Sequence, residues 1–115
     1  KDVAGMLRSF NYAAYAALAH VGAERPDSVA TFEPYVRAWE AEAGRVFLEA
    51  YQQAVQDTGL YANQQSLHSL LDLFLLEKAF YELRYELDHR PDWVSIPLHG
   101  ILELLDRPSY VPPNA

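Results

Sequence analysis

The stretch "SLHSLLDLFLLEKAFYELRYELDH", Ser66–His89, decides the fold. Wound at about 100° per residue, it predicts a helix with two apolar faces. Leu73, Leu76, Phe80, Leu83 and Leu87 make one face. Leu67, Leu71, Phe74, Lys78, Tyr81 and Tyr85 make the other. A helix apolar on two sides is expected at the centre of a bundle. One residue does not fit the pattern: Lys78 interrupts the second stripe. Two explanations stand side by side. Its methylene stem can pack while the ammonium reaches water or Glu82, one turn on, for roughly 0.2–0.5 kcal/mol. Alternatively, an ammonium donor beside two phenols suits a sugar, whose hydroxyls need donors and acceptors and whose C–H faces pack on aromatic rings. Trp39 or Trp93 could add a stacking surface, though each fits a core role as well. The carboxylates at i and i+4 in Tyr81-Glu82 and Tyr85-Glu86 read as a solvated or ligand-facing edge, not as an acid/base pair.

Three more helices surround this one. The first is expected over Asp2–His20, with Asp2 as its cap, an alanine-rich second half suited to close packing, and Gly22 and Pro26 ending it. A second is expected over Phe32–Asp57. Tyr35, Trp39, Ala43, Val46, Phe47, Ala50 and Ala54 form its apolar stripe, and Pro34 fits only its first turn. "DTGLYANQQS" breaks the chain, with Gly59 as the stop. Pro91 ends the third helix, because the residue before a proline is pushed out of helical geometry. "DWVSI" is read as a short extended segment. A last helix, "LHGILELL", begins after Pro97. Residues 107–115 are proline-rich and read as a loosely ordered tail. The expectation is one all-α domain over residues 1–115, an antiparallel bundle of about four helices.

The charge narrows the partners. Nine basic against 16 acidic residues give −7. Such a surface repels phosphate backbones and anionic membranes, so neither nucleic acid nor membrane is an expected partner. No cysteine is present, which excludes disulfides, thiolate metal sites and a cysteine nucleophile, and suits a cytoplasmic setting. No stretch reads as a signal peptide or a membrane span. The chain opens on "KDVAGM" without a methionine, which reads as a piece of a longer polypeptide.

Catalytic signatures are missing. Gly5, Gly22, Gly44, Gly59 and Gly100 are isolated, so no phosphate-cradling loop is formed. There is no kinase-type catalytic loop and no "DFG"-like turn. His20, His68, His89 and His99 lack metal-ligand spacing. No catalytic residue, metal or cofactor is expected within this chain.

Several segments together resemble a known family. "KDVAGMLRSFNYAAYAAL", "FLEAY" and "LLDLFLLEKAFYELRYELDHRPDWVSIPLHGILELL" are similar to the C-terminal end of bacterial maltokinases, often fused to a trehalose synthase. The resemblance implies the C-terminal helical subdomain of an aminoglycoside-phosphotransferase- or protein-kinase-like fold. It implies transfer of the γ-phosphoryl group of ATP to maltose, giving maltose 1-phosphate for α-glucan synthesis. ATP and Mg²⁺ would be held by upstream kinase lobes, which carry the catalytic aspartates. Within this chain it implies that Lys78, Tyr81 and Tyr85 contact maltose and that Asp2 braces the catalytic loop from below. Asn11 stands where the family pattern has an aspartate, and Ser95 and His99 stand where it has arginines. An interaction role, docking the kinase to a trehalose synthase through Trp39 and the second helix, is the competing expectation. A related kinase acting on another small hydroxylated substrate is a third.

Overall fold

The computed structural model describes residues 1–106, and the tail expectation for 107–115 falls outside them. Four α-helices account for nearly all of the described chain: α1 (Asp2–Glu24), α2 (Val29–Val55), α3 (Gln64–His89) and α4 (Ser95–Asp106). No strand occurs among the described residues. The all-α expectation therefore holds.

Local chemistry explains each boundary. Lys1, not Asp2, is the N-cap of α1, and Asp2 is its first helical residue. Asp2 makes no side-chain cap bond there and acts only through its charge at the positive end of the helix dipole. Gly22 does not end α1. The helix runs on to Glu24, and Arg25 leaves it with φ −140° and ψ 76° because Pro26 follows. Pro26 then opens a 3₁₀ turn, Pro26–Ser28, that feeds straight into α2. Pro34 therefore lies inside α2 and not in its first turn. Asn63 caps α3, its Oδ1 accepting a hydrogen bond from the Ser66 N–H at 2.8 Å. Gly59 takes φ +71° in the preceding turn, a conformation glycine adopts without strain. Pro91 stops α3 as expected, but "PDW" coils into a 3₁₀ turn, not an extended segment. Pro97 sits in the first turn of α4, where a missing N–H removes nothing.

The core is thin. Ala4 of α1 meets Leu71 and Leu75 of α3, with Val3, Leu7, Leu48, Phe74 and Leu104 packed around them. Phe10 adds edge-on contacts to Trp39 and Phe47, at centroid distances of 6.1 and 5.9 Å. Even so, α2 contributes no fully buried residue, and Tyr35, Trp39 and Val46 remain largely exposed.

The central helix is buried on one side only. The residues it hides are Leu67, Leu71, Leu75, Ala79, Glu82 and Glu86. Most of these steps are of four residues, and each such step turns the contact line by roughly 40°. The buried line thus starts on the stripe of Lys78 at Leu67 and has left it by Ala79. This drift follows when helices pack at an angle along their i±4 ridges. Leu73, Phe80 and Leu87, expected to face a second neighbour, are each more than half exposed.

Candidate functional site

Lys78 is exposed, so it does not interrupt the core. Its Nζ lies over the ring of Tyr81, 4.8 Å from the centroid. The partner considered for it, Glu82, is turned away into the interior. Lys78 and Tyr81 line a groove of about 640 Å³ between the start of α1 and the middle of α3. Asp2, Met6, Ser9 and Phe74 line it too, and Glu77 stands at its edge with Lys1 3.6 Å away. Three of the four residues singled out from sequence, Asp2, Lys78 and Tyr81, therefore share one concavity.

Tyr85 does not join them. It stacks on His89, with ring centroids 4.2 Å apart and an interplanar angle of 14°. The His89 ring also donates from Nδ1 to the Tyr85 carbonyl at 2.9 Å. Neither tryptophan lines the groove. Trp39 packs on Phe10, and Trp93 is stacked between Tyr12 and the guanidinium of Arg90. The groove offers an ammonium, a phenol, a carboxylate, a hydroxyl and an apolar floor from Phe74 and Met6. That set can hold a neutral polyhydroxylated molecule by hydrogen bonds and ring stacking.

A buried polar cluster holds the two walls of the groove together. Arg8 of α1 donates from Nε and Nη2 to the two oxygens of Glu82 at 2.8 and 3.0 Å. Both residues are under a tenth exposed. The bidentate bond fixes the rotation of α3 against α1, and with it the side that presents Lys78 and Tyr81. Gly100 of α4 makes room for the guanidinium. A Cβ there would stand 2.9 Å from Arg8 Cζ. One turn along α3, the buried Glu86 accepts from Arg90 at 2.8 Å. Glu82 and Glu86 are thus interior groups, not the solvated edge their spacing suggested. Sequence alone carries one hint of this: Arg8 and Asn11 fall on the small-residue stripe of α1 with Ala4, Ala14 and Leu18. A cation on a packing stripe demands a carboxylate on the helix it meets.

Tyr12 lies beside both carboxylates. Burial first, and then the charges of Glu82 and Glu86, push its phenol well above the usual value. The neutral phenol is the form the fold favours. Its stabilising contribution is complete below the unfolded value near pH 10 and is lost as pH rises toward the folded value. We expect alkaline pH to unfold the chain, and Tyr12→Phe to flatten that dependence between about pH 10 and 12. Circular dichroism at a series of pH values, with phenolate absorbance read alongside, checks this. An unchanged slope in the variant would place the linkage elsewhere.

Among the described residues, no group of three or more His, Asp or Glu side chains is placed to hold a metal ion. No described helix is long and apolar enough to cross a membrane. No protein-family model matches the chain, and no solved structure matches it.

Proposed function

We propose that this chain is the maltose-positioning C-terminal helical subdomain of a maltokinase, which converts ATP and maltose to ADP and maltose 1-phosphate. The observation that carries the reading is the shared groove: Asp2, Lys78 and Tyr81, picked out by resemblance, converge on one concavity of about 640 Å³. The role is positional. Phosphoryl transfer needs the acceptor hydroxyl held in line with the phosphate, and a disaccharide clamped through hydrogen bonds and ring stacking meets that need. Lys78 Nζ donates to sugar hydroxyls, the Tyr81 ring packs on a sugar face, and Asp2, the first residue of α1, braces the catalytic loop of the upstream lobe. Those lobes would hold ATP and Mg²⁺. Tyr85 lies outside the groove, stacked on His89, and its contact to maltose rests on the resemblance alone.

In the polypeptide that carries this chain, Lys78→Ala is expected to raise the KM for maltose at least tenfold and leave that for ATP unchanged. A hydrogen bond to a charged group is worth about 1.5–3 kcal/mol, enough for that factor. Tyr85→Phe is expected to have a smaller effect in the same direction. Steady-state assays varying each substrate in turn decide it. Equal changes in both constants would remove Lys78 from the sugar site.

A second reading has its own support. Tyr35, Trp39 and Val46 expose apolar surface along α2, on an element that contributes nothing fully buried. That surface suits docking to a trehalose synthase, fused or separate. Trp39→Ala would then weaken the assembly and leave turnover unchanged.

A further inference from the structure

We propose that the outer seam of α3 is an antiparallel interface with a second copy of this chain. The proposal does not depend on the kinase reading. Leu73, Leu76, Phe80, Leu83 and Leu87 recur at spacings of three, four, three and four, the a/d pattern of paired helices. The a positions are open: Leu73 is 59% exposed, Phe80 53% and Leu87 58%. The d positions, Leu76 and Leu83, are partly covered by their own bundle. Such spacing fits another helix with the same repeat, knob into hole.

Charge names the copy and its direction. Glu77 and Arg84 follow the two d residues and so flank the seam on the same side. In an antiparallel two-fold pair, Glu77 of one copy stands beside Arg84 of the other, and the reverse contact repeats it. Arg84 makes no hydrogen bond or ion pair among the described residues. Glu77 has only the 3.6 Å contact to the exposed Lys1. A parallel pair gains nothing comparable: the opposite flank is Asp72, which would stand beside the like-charged Glu77 of the copy, Ala79, fully buried, and Glu86, already held by Arg90. The seam shares only Glu77 with the Lys78 groove. At about 100° per residue, Phe80 and Lys78 lie roughly 160° apart around α3.

The seam is short, about 21 Å at 1.5 Å per residue, so a weak dimer is expected. Sedimentation equilibrium of the chain over about 5 to 500 µM reads it directly, as a rise from 13.1 kDa toward twice that mass. Phe80→Glu is expected to weaken the dimer more than tenfold. Glu77→Arg and Arg84→Glu, each on an exposed position outside the apolar seam, should each weaken it by roughly tenfold, and the double exchange should restore it. A chain that stays monomeric across the range, as when a different protein or another segment of a longer polypeptide covers this face, overturns the proposal. So does a dimer indifferent to these changes, or a double exchange whose losses add.

Discussion

Arg8→Ala should destabilise this fold by about 3–5 kcal/mol, a large share of what a core this thin can supply. The loss has two parts. Removing the guanidinium leaves the Glu82 carboxylate charged, under a tenth exposed and deprived of both its bonds from Arg8. It also opens space beside Gly100, where the guanidinium had been packed. Urea unfolding of wild type and variant, followed by circular dichroism, gives the difference. Arg8→Met combined with Glu82→Leu should recover most of it, because an apolar pair of similar volume carries no desolvation penalty. A loss below about 1 kcal/mol in the single variant would show the pair to be as weak as a surface ion pair.

Gly100→Ala should cost about 1–3 kcal/mol, although alanine is the better helix former by nearly 1 kcal/mol. The new methyl would stand 2.9 Å from Arg8 Cζ, and the guanidinium cannot swing away without breaking its bond to Glu82. The sign of the effect should reverse once Arg8 is gone. In an Arg8→Ala background, Gly100→Ala meets no obstacle, gains its helix propensity, and should stabilise by up to about 1 kcal/mol. This double-mutant cycle isolates the Arg8–Gly100 contact from the other consequences of each change. Additive losses in the cycle would mean that α4 can shift aside at no cost.

The helices themselves were legible because their signals are local. Pro91 ends α3 and Pro26 ends α1 through backbone sterics that act on the residue before each proline. The misreadings also have local causes. Gly22 is a permissible helix residue, so it yields to the proline-determined stop at Arg25. Pro34 can sit inside α2 because the bundle there is open enough to absorb one lost backbone bond. Asn63 was overlooked as the cap of α3 because "ANQQS" has no capping-box partner three residues on.

The side chains of α3 were harder to read. A fixed stripe of about 3.6 residues places Lys78 toward the core, whereas helices crossing at an angle bury a line that rotates along the surface. Glu82 and Glu86 lie in the interior paired with Arg8 and Arg90, and that pairing spans 74 residues in the first case. No window of local sequence contains it. The meeting of Asp2 with Lys78 and Tyr81 in one groove spans a comparable stretch of sequence. The resemblance gave Asp2 a separate role, beneath the catalytic loop, so their meeting is a finding of the fold, and the isolation of Tyr85 on His89 depends on a rotamer that spacing does not encode.

We propose that the Lys78 groove holds maltose for phosphoryl transfer. Transfer of phosphate from ATP to maltose by the polypeptide carrying this chain, assayed with wild type and Lys78→Ala at varied maltose, tests it most directly. Formation of maltose 1-phosphate is expected and, in the variant, a KM for maltose at least tenfold higher with that for ATP unchanged. Absence of transfer to maltose, or a variant indistinguishable from wild type, would contradict it and leave Lys78 a solvated residue resting on the ring of Tyr81.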